Sequence, residues 1–371
     1  MKLLQKSTFY IILLSFIVTG CNSEHTEPPE AKIKEPTPSV ELANWSFHAN
    51  DQVRSTALIS GAFIYFGDNG GNLYKLDKLT GEQVWQTKLE GEIDTSLVSY
   101  EDTLFVSTSQ GILYALSMAS GNEVWRTAAD PLRRLEYDYF SASPLVYENS
   151  VFLPTDNGKL SGFDLITGEK NWEMQLSEPA HSQAIIAKEN ICLSSMTRLT
   201  CIDIEERAVL WDIDIDWPSS PAISGDNIIV GSRWDYGIYA IDINTGIMQW
   251  KQDVVDWAPG KPTIYNGTVY IGSSDNHAFL ALNATSGERI WRAESVANVF
   301  SRAFVNDEII VFSSGYAYNT PGFGVVKVLD HAGETIQSIA GANFFSSPIV
   351  ENKTIYIGSD DGYFYSIDIQ E

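Results

Sequence analysis

Cysteine is scarce in this chain: only Cys21, Cys192 and Cys201 are present, and no two are adjacent. No Cys-x-x-Cys-His run occurs, which excludes the usual c-type haem attachment. The five histidines (His25, His48, His181, His277 and His331) show no metal-ligand spacing. No Gly-x-Ser-x-Gly elbow or phosphate-binding glycine loop is visible. Positive charge is also in short supply: 24 Lys and Arg stand against 48 Asp and Glu, for a formal charge of −24. A chain this acidic is not built to hold nucleic acid or anionic lipid head groups. Its partner is neutral, basic, or met through a local basic patch.

What is present begins with a targeting segment. Lys2 and Lys6 precede an apolar stretch, Phe9 to Val18, that is too short to span a membrane comfortably. Residues 1–20 therefore read as a signal peptide. The segment closes on Val18-Thr19-Gly20-Cys21. Small residues before one Cys resemble the bacterial lipobox, which implies cleavage before Cys21 and lipid on its sulfur. Acyl chains there would anchor a domain without spanning the bilayer. Asn22 stands where Asp would resemble an inner-membrane retention signal. In a Gram-negative cell this favours the periplasmic face of the outer membrane; otherwise the outer face of the cytoplasmic membrane is expected. After Cys21, prolines and charges dominate, and residues 21–42 read as a lipidated Cys followed by a disordered tether.

The remainder, residues 43–371, repeats itself. Residues 74–85 read YKLDKLTGEQVW and residues 239–250 read YAIDINTGIMQW. Trp45, Trp85, Trp125, Trp172, Trp211, Trp250 and Trp291 are 40, 40, 47, 39, 39 and 41 residues apart. A period near 40 with four strand signals per unit predicts a β-propeller. Strand A follows a lead-in such as Ser143-Pro144, Ser220-Pro221, Lys261-Pro262 or Ser347-Pro348. Strand B is a β-branched or aromatic run, as in FIYFG at 63–67. Turns such as Asp68-Asn69-Gly70 and Asp360-Asp361-Gly362 accept the positive φ that a hairpin needs. Strand C ends at Asp77, Ser117, Asp164, Asp203, Asp242, Asn283, Asp330 and Asp368, which makes eight units.

The eighth unit stops before a strand D, while Trp45 has no strands A to C before it. The expected fold is therefore all-β: one monomeric, eight-bladed propeller of four-stranded antiparallel blades. The N-terminal strand around Trp45 completes the last blade, which removes an open sheet edge. The seven repeat tryptophans are read as packing between blades. Unit seven departs from the plan: Gln337 takes the Trp position and its C–D turn is one residue shorter.

The run Ala281-x-Asn283-x-x-Ser286-Gly287-x-x-x-Trp291 and its copies resemble the tryptophan-docking motif of quinoprotein-type eight-bladed propellers. That group includes the pyrroloquinoline-quinone (PQQ) alcohol dehydrogenases and the non-enzymatic BamB lipoproteins of the outer-membrane barrel-assembly machinery. The resemblance covers residues 43–371. The dehydrogenases carry a vicinal Cys–Cys pair, calcium-ligating carboxylates and long blade insertions, whereas this chain has no vicinal pair and blades of about 40 residues. The resemblance therefore implies a lipid-anchored, non-enzymatic, protein-binding scaffold of the BamB type. No catalytic residue, metal ligand or cofactor is assigned. The alternatives are a quinoprotein dehydrogenase using PQQ and calcium, or a propeller that binds a small ligand.

Cys192 and Cys201 fall in strands B and C of blade four, at positions that face each other across the hairpin. In an oxidising compartment they read as a structural disulfide, with two buried thiols as the alternative. Three tryptophans lie outside the repeat. Trp217 and Trp257 are in D–A connections, and Trp234 is in the B–C loop between them, with Arg233 and Tyr236. Arg302 and Phe345 occupy equivalent D–A positions in later blades, beside Phe300 and Phe344. Aromatics with Arg are the residue types of binding hot spots; they would equally serve to plug the channel. The 47-residue gap marks a longer connection holding Arg133, Arg134, Tyr137, Tyr139 and Phe140, a further candidate for partner contact. A barrel-assembly protein is the partner that the resemblance implies. In BamB a comparable loop meets the barrel protein, but one blade later than here.

Overall fold

The computed structural model describes residues 43–129, 142–155, 157–180, 182–253, 257–317 and 322–370. Cys21, the signal segment and the tether lie outside the described residues, as do Arg133, Arg134, Tyr137, Tyr139 and Phe140.

The regular elements are thirty-two β-strands, grouped as eight antiparallel sheets of four. Blades one to seven occupy 58–88, 98–128, 145–175, 185–214, 222–253, 263–294 and 304–341. Blade eight takes three strands from 349–368 and its fourth from Ala43–His48, which pairs with Tyr363–Asp368. The ring is closed as the repeat predicts.

The burial pattern follows from position in the blade. Strand B of blade one, Phe63–Gly67, is buried almost throughout, because neighbouring blades cover both faces. Strand D, Gln83–Lys88, alternates between half-buried and exposed, because it forms the outer edge. The short A strands line the centre, where those of neighbouring blades touch. Cys192 and Cys201 are register partners in blade four, with Cα atoms 4.1 Å apart, and their sulfurs are bonded.

Each repeat tryptophan bridges to the next blade. The indole Nε1 atoms of Trp45, Trp85, Trp125, Trp172, Trp211, Trp250 and Trp291 donate to the carbonyls of Lys78, Met118, Leu165, Ile204, Ile243, Ala284 and His331. Six of the ring faces lie on the turn glycine of that neighbour, whereas Trp172 meets Arg207, whose φ is +52° and whose Cζ is 5.9 Å from the ring centre. A Cβ on Gly168, whose φ is +71°, would sit 2.6 Å from the Trp125 ring. Glycine is required there both for the left-handed backbone and for the close approach. In most blades an Asp, or Asn283 in blade six, shapes the turn: Asp77 accepts the amides of Leu79 and Thr80. Those amides, Thr80 first, hold the Asp77 carboxyl below its ordinary range. Between blades seven and eight Gln337 replaces the indole, donating to the Asp368 carbonyl and accepting from the Gln370 amide.

Candidate docking face and central cavity

Two features converge at the end of the ring where D–A connections and B–C turns emerge. The first is a chain of rings and guanidinium groups across blades four to eight. Arg233 is buried, with its Cζ 5.6, 4.5 and 4.3 Å from the ring centres of Trp217, Trp234 and Trp257. Trp257 meets Phe300 edge-on at 5.3 Å, and Phe300 meets Phe345 at 5.8 Å. Arg54 caps Phe345 at 5.1 Å while holding Asp360 through two hydrogen bonds. Such stacking of guanidinium on aromatic faces suits Arg and not Lys.

The loops that carry this chain are held by backbone and acid groups. The Arg233 amide donates to the Asp216 carbonyl at 3.2 Å, and the Ser232 hydroxyl donates to the same oxygen. Asp235 accepts from Ser232 and from the Tyr239 hydroxyl. Burial, and then the nearby Asp235 charge, push the Asp216 carboxyl up, while Arg233 opposes the shift. Trp217 and Tyr236 have φ of +49° and +53°. Left-handed backbone costs a side-chain-bearing residue about 1–2 kcal/mol. At Trp217 that backbone accompanies a ring facing the Arg233 guanidinium.

The expected contact residues divide here. Trp234 and Tyr236 are 55% and 46% exposed, large apolar side chains displayed on the face of blade five. Trp217 is partly buried beside them. Trp257 and Phe345, by contrast, are only 3% and 2% exposed. With Phe300 and Ala317 they form a closed apolar cluster, so they support the face from beneath and offer a partner no surface. Burial beneath neighbouring loops is the reason, and residue type alone does not reveal it.

The second feature is a central cavity of about 600 Å³, roofed in part by Trp217, Trp257 and Phe300. The residue just before each A strand lines it, one from each blade. These are Thr56, Ser96, Ser143, Gln183, Ser220, Lys261, Arg302 and Ser347. Arg302, in a D–A connection as the sequence reading has it, is exposed and lines this cavity. The cause is its place at the head of strand A, the innermost strand. Lys261 was not among the expected site residues. Its signal was its replacement of Ser in the Ser-Pro lead-in. The Lys261 ammonium donates to the Gln183 side chain at 3.0 Å, reaching from blade six to blade four. Burial, with Arg302 next to it, brings the Lys261 ammonium down to about 8.

No group of three or more His, Cys, Asp or Glu side chains able to hold a metal converges among the described residues. The one disulfide there joins residues nine apart in a hairpin of blade four, not vicinal cysteines.

The sequence and fold were compared with known proteins. The family described as outer membrane protein assembly factor BamB matches residues 43–252 and 195–371. A BamB from Yersinia pestis is 23% identical over 83% of this chain and 69% of its own length. The crystal structure of BamB from Moraxella catarrhalis superposes with a TM-score of 0.59 at 18% identity, covering 87% of both chains. A europium-containing methanol dehydrogenase gives a TM-score of 0.64 at 12% identity, covering 87% of both. Those two structural likenesses concern fold alone, since this architecture carries both scaffolds and oxidoreductases. The sequence match spans the whole propeller, and the chain belongs to the BamB family of PQQ-like β-propellers.

Proposed function

We propose that this chain is a protein-binding scaffold that assists outer-membrane β-barrel assembly, tethered to the membrane through lipid on Cys21. The observation that carries the reading is the pair Trp234 and Tyr236, exposed on blade five around a caged Arg233. Exposed aromatics on a rigid, pre-strained support lose little entropy on binding and anchor protein interfaces well. Family membership supplies the partner class, a component of the barrel-assembly machinery. The acidic surface favours a partner with a basic or neutral contact patch. Catalysis has no part in this reading.

The test is photo-crosslinking from position 234 in the lipidated protein in its own envelope. A crosslinked barrel-assembly protein is expected, and Trp234→Ala combined with Tyr236→Ala should reduce its capture at least tenfold without moving the melting temperature. Recovery of no stoichiometric protein, or capture indifferent to both substitutions, would remove blade five from the account. Arg133→Glu with Arg134→Glu tests the 130–141 connection as a separate contact.

A further inference from the structure

A chain with twice as many acids as bases has ample means to neutralise a cation. It does not do so in its own lumen. Lys261 and Arg302 stand at equivalent positions of adjacent blades, six and seven, and line the same cavity. Neither forms an ion pair with the described residues, and the Arg302 guanidinium makes no hydrogen bond with them. Lys261 is half-buried and Arg302 is exposed to the cavity, so two like charges at neighbouring positions repel each other with no opposite charge beside them.

The rest of the ring adds donors. The hydroxyl oxygens of Ser143, Ser220 and Ser347 accept the amides of Ser96, Gln183 and Arg302. That leaves each hydroxyl proton to be donated, and none finds an acceptor among the described residues. The acid on the cavity wall, Asp94, belongs to blade two, diametrically across the ring from Lys261. The wall of blades five to eight therefore presents two cations and hydroxyl donors without a carboxylate to use them. A cavity of about 600 Å³ lies within the range of small-molecule sites.

We propose that the lumen is a binding site for a small oxyanion, a carboxylate- or phosphate-bearing molecule seated on Lys261 and Arg302. The hydroxyl groups of Ser220 and Ser347 complete its shell. The site is separate from Trp234 and Tyr236, so it stands or falls independently of the docking reading. It also gives the unpaired cations a physical purpose: the anion removes their mutual repulsion, and each cation strengthens the hold of the other.

The experiment is calorimetric titration of the purified chain at pH 7 with inorganic phosphate, citrate, and glycerol as the uncharged control. Saturable binding of phosphate or citrate, but not glycerol, is expected. Phosphate alone would assign a phosphate ligand; citrate alone would assign a polycarboxylate. Lys261→Gln and Arg302→Gln should each weaken binding roughly tenfold to a hundredfold, the loss of one charge-assisted contact. Arg302→Lys keeps the charge and serves if the glutamine variant fails to fold; it should retain binding to within about tenfold. No saturable binding of either anion would overturn the proposal. So would binding that persists unchanged in folded Lys261→Gln, or in Arg302→Gln where that variant folds.

Discussion

The clearest quantitative consequence of the ring concerns Trp125 and Gly168. Trp125 closes the seam between blades two and three, donating to Leu165 at 3.1 Å and packing on Phe105. Trp125→Ala removes a buried ring and should cost about 3–5 kcal/mol. Gly168→Ala places a methyl 2.6 Å from that ring and forces alanine to φ +71°. The overlap costs about 1–3 kcal/mol, and the backbone about 1–2 kcal/mol more. Removing the indole abolishes the overlap but not the backbone strain. The double variant should therefore be more stable than additivity requires by about 1–3 kcal/mol. The roughly 310 described residues imply an unfolding entropy of about 0.65 kcal/mol per degree, so Trp125→Ala alone should lower Tm by roughly 5–8 °C. Urea midpoints of the four proteins give the coupling directly. Strict additivity would refute the argument that the glycine is there to admit the indole.

Other outcomes follow from the same structure. The disulfide closes a loop of nine residues' separation, so Cys192→Ser with Cys201→Ser should cost about 2–3 kcal/mol in urea; an unchanged midpoint would mean the thiols are not bonded in solution. Anion binding in the lumen should weaken as pH rises through about 8, where Lys261 loses its proton; Arg302 keeps its charge across that range. A flat affinity between pH 7 and 10 would take Lys261 out of the site. The phenols of Tyr74, Tyr239 and Tyr365 are buried and donate to Asp68, Asp235 and Asp361. Burial first, and those acids next, raise all three above their ordinary value. The folded state then keeps protons that the unfolded state releases above about pH 10, so their contribution is full below pH 10 and is lost as pH climbs beyond it. Replacing all three by Phe should flatten the alkaline fall in the urea midpoint; an unaltered slope would assign that fall to other groups.

The fold could be read from residue order because one interaction recurs. An indole that must reach a neighbour's turn needs its glycine, its Asp and a fixed spacing, and those survive as pattern. Where the interaction is met by other chemistry, as with Gln337, the pattern lapses although the seam persists. The site was harder to see. Trp234 and Trp257 are the same residue type in adjacent loops, yet one is exposed and the other is sealed under Phe300 and Phe345. Local order carries no record of which loop lies above which. Arg302 was recognised as a D–A residue, but its place on the cavity was not legible, because a D–A connection passes from rim to lumen within a few residues. Lys261 showed only as a missing serine.

The closing sheet also sets a schedule. Asn44 donates to Asp368, a partner 324 positions later in the chain. At about 5–20 residues per second, the first strand waits on the order of 15–65 seconds for the segment it must pair with. Throughout that interval Trp45 lacks its neighbour Phe364, and Phe364 later stacks on Phe66 as well. The strand Tyr363–Asp368 thus converts an open, edge-exposed arc into a ring, and a chain interrupted before Tyr363 leaves both ends of that arc unpaired at once.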